Sequence, residues 1–337
     1  MPNAECGMPH AACRMPHATI HGLARGRTAL ALMMQPRAPG FVKMPPDASR
    51  LMPPRNTSML STAQIAAWHR DGFLTLSGFK PTAELEAAKA RARALVEAFD
   101  PAQGASRFST RDRSKVADAR LLASADQVHC FFEEEALDDE GRLLVPKARS
   151  INKIGHALHD RDPVFDRFSH GPALADLAAD LGLLQPQVWQ SQLIFKQPHI
   201  GGEVGWHQDA SFFVTDPITV TTLWFALEDA TLDNGCLWVE PGGHRGPLRE
   251  RYRCEQGRLS MQALDATPWP DSGSALPLPV AAGTLVVLHG LLPHYSASNR
   301  SAHSRLAYTL HVTDATAAYS PLNWLQRGPA LPVRGLA

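Results

Sequence analysis

From residue 188 onward the chain is a succession of short apolar and β-branched runs broken by glycine-rich turns, and this texture limits the fold most sharply. The runs fall at 188–195, 204–209, 220–227, 236–240, 285–289 and 306–312. Between them stand Gly201-Gly202, Asp233-Asn234-Gly235, Pro241-Gly242-Gly243 and Ala282-Gly283. Many short strands with such turns predict a sandwich or jelly roll. No βαβ rhythm, GxGxxG or Walker A pattern is present, which argues against a nucleotide-binding α/β fold. The expectation is a mainly β protein with flanking α-helices, a double-stranded β-helix of cupin-like type.

The helices precede the strands. Ser61-Thr-Ala-Gln64 is a capping box that predicts a short helix through Ile65 and Trp68, ended by Asp71-Gly72, with a strand at 73–76. Pro81 opens a second helix whose apolar positions Leu85, Ala88, Ala92, Leu95, Val96 and Phe99 keep the spacing of a buried stripe. Residues 1–58 read differently. They hold seven basic residues against Glu5 and Asp47, recurrent prolines and two copies of Met-Pro-His-Ala. That composition predicts a disordered extension or an upstream start with Met59 as the working beginning; a mitochondrial transit peptide is the alternative. The catalytic-type domain is expected over 59–337, with part of a lid within 100–149. The run Glu133-Glu134-Glu135 reads as a solvated face.

Lys plus Arg equals Asp plus Glu at 33 each, so no global field favours nucleic acid or an anionic membrane. The apolar stretch at 29–34 is far shorter than the ~20 residues a membrane span needs. The cysteines (Cys6, Cys13, Cys130, Cys236, Cys254) are odd in number and form no CxxC pair. This argues against a disulfide framework or thiolate zinc site and for a reduced, cytoplasmic protein. No feature specifies an oligomeric state.

The sharpest local signal is Gly205-Trp206-His207-Gln208-Asp209. In a strand, residues two apart share a face, so His207 and Asp209 can offer an imidazole and a carboxylate to one metal. A histidine from a distant strand would complete a two-histidine, one-carboxylate facial triad, which leaves positions open as a non-haem Fe(II) oxygenase requires. His289, His294 and His303 compete for that place. Eleven residues after His294, Arg305 starts an alternating strand. Its guanidinium fork suits the distal carboxylate of 2-oxoglutarate. His156 and His159, at i and i+3, read as structural rather than as a metal pair, and His199 and His244 as turn residues.

Several segments resemble the phytanoyl-CoA dioxygenase family: SINKIGHALHDRDPVF (150–165), QSQLIFKQPHIGGEVGWHQDASF (190–212), WFALEDATLDNGCLWVEPGGH (224–244), HGLLPHYSASNRSAHSRLAYTLHV (289–312) and SPLNWLQ (320–326). The resemblance covers roughly 62–326. It implies that His207, Asp209 and His294 are the iron ligands, His289 standing outside the triad, and that Arg305 anchors 2-oxoglutarate. It also puts Lys153, Gln192 and Trp224 where a relative lines the co-substrate pocket. Gln192 replaces a methionine of that relative, and Trp206 a proline beside the first ligand. The implied requirements are Fe(II), 2-oxoglutarate and O2, with ascorbate in support. The implied reaction is hydroxylation of a small-molecule or acyl substrate with release of succinate and CO2. Related halogenases lack the carboxylate ligand, so Asp209 points to hydroxylation. Two readings compete, a cupin-like metal hydrolase or isomerase and a catalytically silent 2-oxoglutarate-binding module.

Overall fold

The computed structural model describes residues 58–101, 119–271 and 273–337. The extension expected over 1–58 therefore lies outside the described residues apart from Ser58, as does most of the first third of the expected lid. Order reaches back past Ser61, because the Ser58 hydroxyl donates to Asp180 Oδ2 at 2.9 Å.

Helix α1 (Thr62–Asp71) carries the capping box: Ser61 Oγ accepts from the Gln64 amide, and Gln64 Oε1 accepts from the Ser61 amide. Helix α2 (Thr82–Ala98) buries Leu85, Ala88, Ala92 and Val96, the predicted stripe. Shorter helices follow: α3 (Ala119–Ala123), α4 (Leu158–Arg161), α5 (Pro163–Ser169) and α6 (Pro172–Asp180). In chain order the first strands are β1 (Phe73–Leu76), β2 (Val128–Phe132), β3 (Ile151–His156), β4 (Pro186–Lys196), β5 (Val204–His207), β6 (Thr215–Asp216), β7 (Thr221–Ala226) and β8 (Leu237–Val239). They continue with β9 (Glu250–Glu255), β10 (Arg258–Ala263), β11 (Leu276–Leu278), β12 (Leu285–His289), β13 (His294–Ser296), β14 (Arg305–Asp314), β15 (Ala318–Tyr319) and β16 (Arg334–Gly335).

A major antiparallel sheet runs β1-β12-β7-β14-β4-β3-β2, and a minor one runs β11-β8-β13-β5. From β4 to β14 the chain passes repeatedly between these two sheets, which is the winding of a double-stranded β-helix. Side-chain parity explains the layering. On β14, Leu306, Tyr308, Leu310 and Val312 face the helices, where they meet Leu85, Ala88, Phe165, Phe168 and Leu177 in one cluster. Leu223 and Phe225 of β7 and Leu285 and Val287 of β12 join them. The alternate residues Trp224, Ala226, Val286, Leu288 and Ala307 face inward and pack on Leu237, Val239 and Leu278 of the minor sheet. Each large apolar side chain fully buried this way contributes about 1.5–3 kcal/mol. The two-residue period thus holds helices on one face and a chamber on the other.

Two expectations need correction. The strand predicted at 204–209 ends at His207, and Asp209 begins a 3-10 turn over Asp209–Ser211. The turn bends the chain as soon as the metal-site residues have been placed, and its Ala210 amide is held by the Gly290 carbonyl at 2.9 Å. The acidic run is not wholly solvated either. Glu134 and Glu135 are exposed, but Glu133 is buried and accepts from Asn152 Nδ2 at 2.8 Å. A hydrogen-bonded partner inside the fold compensates the cost of burying that carboxylate.

Candidate metal centre

Strands β5 and β13 pair so that His207 stands directly opposite His294. Their rings lie 4.1 Å apart between centroids. The extended backbone at Gln208 then turns Asp209 to the same side. His207 Nε2 is 3.6 Å from Asp209 Oδ1, and His294 Nε2 is 3.5 Å from Asp209 Oδ2. One ligand atom from each residue falls within 4.8 Å of the others. That spacing suits a single ion at about 2 Å from each donor.

The tautomers fit the same purpose. His207 Nδ1 is 2.9 Å from the Gly205 carbonyl, and His294 Nδ1 is 3.0 Å from the Leu292 carbonyl. A carbonyl only accepts, so each Nδ1 carries the hydrogen and each Nε2 offers a lone pair. Thr222 Oγ1 donates to Asp209 Oδ2 at 2.5 Å, and His311 Nε2 lies 3.5 Å from Oδ1. Burial alone would raise the Asp209 pKa, but His294, His311 and His207 hold the carboxyl far below the usual carboxylate range. The set is two neutral nitrogen donors and one anionic oxygen, a donor set that fits a divalent iron ion.

One cavity gathers His207, Asp209 and His294 with Lys153, Gln192, Trp224 and Arg305. Register explains the assembly: Gln192, Thr309 and Trp224 are neighbours across β4, β14 and β7, all on the inward face. Arg305 is 1 % exposed, yet its Nε and Nη1 have no hydrogen-bond partner among the described residues. Its guanidinium carbon lies 5.4 Å from the centre of the Trp224 ring. Burial lowers its pKa to about 10. Lys196, its register partner on β4, is tied instead to the Gly202 carbonyl at 2.6 Å. A buried guanidinium with open donors is costly unless an anion completes it. Lys153 is half-buried in the cavity wall, and loss of water brings its pKa down to about 7, with Asp209 opposing the shift.

The other histidines stay apart from the ligand set. His303 and His199 are exposed. His289 packs on Trp68 and His244, with its Nδ1 accepting from the Leu291 amide. His159 bonds Ser191 through Nδ1 and contacts Asp160 through Nε2, whereas His156 turns its Nδ1 to Ser124, so the pair does not converge. Trp206 stacks on Tyr295, which lines the cavity. Sequence reasoning missed Thr222, Thr309 and His311. The signal for His311 was present, since parity from Arg305 along β14 puts Thr309 and His311 on the same face.

Fold and donor set together define a double-stranded β-helix protein with a candidate two-histidine, one-carboxylate metal site. The phytanoyl-CoA dioxygenase (PhyH) family model matches residues 68–307, and the chain belongs to that family. It is 44% identical over 282 residues to bovine phytanoyl-CoA dioxygenase domain-containing protein 1, spanning 81% of this chain and 97% of the relative. Rice (Oryza sativa subsp. japonica) phytanoyl-CoA dioxygenase 1 is 43% identical over 277 residues, 82% of this chain and 96% of the relative. Among solved structures, the non-haem α-ketoglutarate-dependent epimerase SnoN from nogalamycin biosynthesis superposes with a TM-score of 0.55 at 19% identity, covering 82% and 90% of the two chains. EctD from S. alaskensis, solved with 2-oxoglutarate and 5-hydroxyectoine, gives 0.54 at 20%, covering 84% and 89%. At those identities the likeness is one of fold.

Proposed function

We propose that the protein is an Fe(II)- and 2-oxoglutarate-dependent dioxygenase that hydroxylates a small molecule or acyl substrate, releasing succinate and CO2. Arg305 carries this reading: it is a buried, incompletely partnered guanidinium in the same cavity as the three candidate ligands. A hydrolase of this fold has no use for it.

In the proposed enzyme His207, Asp209 and His294 hold the ion. Fe(II) held there would activate O2, the oxidant, with decarboxylation of 2-oxoglutarate supplying two of the electrons, for attack on a C–H bond. Arg305 would pair its guanidinium, backed by the Trp224 face, with the distal carboxylate of 2-oxoglutarate. Lys153 and Gln192 line the walls and position the co-substrate. Thr222 and His311 hold the Asp209 carboxylate so that its orientation is set before any ligand arrives. Apolar walls exclude water from the reacting end, which strengthens each of these polar contacts.

The test is succinate formation by anaerobically purified protein given Fe(II), 2-oxoglutarate and ascorbate, then air, beside His207→Ala. Iron-dependent succinate that disappears in the variant is the expected result. No succinate, together with no 2-oxoglutarate binding by calorimetry, would overturn the reading. Binding of 2-oxoglutarate without turnover under any substrate would favour a silent sensing module.

A further inference from the structure

Beyond the ligands and the co-substrate residues, the cavity has a second polar pole that this chemistry does not use. His156 lines the cavity and is 1 % exposed. Its ring is fixed between Phe131, 5.5 Å between centroids, and Trp324, 5.0 Å away edge-on. Its Nδ1 lies 2.8 Å from Ser124 Oγ, and that same hydroxyl is 2.6 Å from the Leu121 carbonyl. A hydroxyl has one hydrogen and a carbonyl only accepts. Ser124 must therefore spend its hydrogen on Leu121 and accept from His156, which puts the imidazole hydrogen on Nδ1. Burial, with Lys153 and His311 nearby, keeps the ring neutral. Nε2 is thus a bare acceptor on the far edge of the ring, with no partner among the described residues.

Gln190 supplies the complement. It is 4 % exposed, lines the same cavity, and its side-chain amide has no hydrogen-bond partner among the described residues. It precedes Ser191, the register partner of His156, and stands opposite His311 on β14. Tyr252 and Met261 face each other in register across the β9–β10 hairpin, and with Phe212 and Trp324 they line the cavity.

We infer that His156 Nε2 and the Gln190 amide recognise the substrate by a group that donates and accepts at once, a hydroxyl or a primary carboxamide, carried on an apolar body that packs on Tyr252, Met261, Phe212 and Trp324. The inference rests on the oxygenase reading above and narrows its substrate class. A thioester or ether has no hydrogen to give and would leave Nε2 buried and unpaired.

The test uses matched pairs of probes titrated into the full-length protein by ligand-observed NMR: 2-phenylacetamide against its S-methyl thioester counterpart, and cyclohexylmethanol against its methyl ether. The amide and the alcohol should bind at least about fivefold more tightly than their partners, the discrimination expected when a buried acceptor is left unmatched. A smaller or reversed preference, or no binding by any of the four, overturns the inference. Ser124→Ala removes the group that pins the Nδ1 hydrogen, so the preference should collapse; its survival would also count against the proposal. The 15N signals of the His156 ring should report a neutral Nδ1–H tautomer in the wild type, and an Nε2–H pattern would sink the argument. None of these readouts needs iron or turnover. Failure of the oxygenase reading would appear instead as missing succinate and missing 2-oxoglutarate binding.

Discussion

Thr222 and His311 stand directly opposite each other across β7 and β14, and each addresses a different oxygen of Asp209. Thr222 Oγ1 donates to Oδ2 at 2.5 Å, and His311 Nε2 lies 3.5 Å from Oδ1. The carboxylate comes from a turn, so this pair of sheet residues gives it the rigidity that a strand would otherwise provide.

Thr222→Val keeps the shape of the side chain and removes the hydroxyl. Metal affinity, read by Co(II) or Mn(II) titration, should fall by roughly 10- to 100-fold, the usual cost of losing a partner behind a ligand. The circular dichroism spectrum should stay native. An unchanged affinity would show that Asp209 is oriented without Thr222.

Arg305→Lys keeps the charge and loses the planar fork. Calorimetry should find 2-oxoglutarate bound more weakly by about 2 kcal/mol or more, some 30-fold, because a buried bidentate contact is replaced by a point donor. Arg305→Leu should lose more. Equal affinity in the Lys variant would mean that the guanidinium serves the fold rather than the co-substrate.

His289 should make stability depend on pH. Burial, helped by His244 and His69, lowers its pKa from 6.5 to about 4. Between those values the unfolded chain binds a proton that the folded chain refuses, so stability rises with pH through the window and is lost as pH falls from about 6.5 to about 4. The full effect is about 3 kcal/mol. His289→Asn retains an acceptor for the Leu291 amide and does not titrate. Urea midpoints at pH 7.5 and 4.5 should differ less in the variant than in the wild type; equal differences would refute the assignment.

Much of this architecture was legible in the order of residues. The capping box at Ser61, the stripe on α2 and the strand at Leu285–His289 follow from local rules, because caps and periodicities act over a few residues. Short strands with glycine turns gave the jelly roll, and Asn234-Gly235 needed its glycine, which holds φ +87 against the Ala297 carbonyl and the Lys196 chain. HxD and a distant histidine followed by arginine proposed the metal site.

By itself the sequence determined which residue types were on offer and on which face of each strand they fell, since a period of two is a property of the chain. Tertiary structure alone decided which strands became neighbours. Only the pairing of β5 with β13 sets His294 rather than His303 against His207. Only the β7–β14 register brings Thr222 and His311 to Asp209, and only the fold drew Glu133 out of water onto Asn152. These contacts join residues far apart in the chain, and their energies come from shared burial and from the hydrogen bonds that burial demands, which no local pattern records.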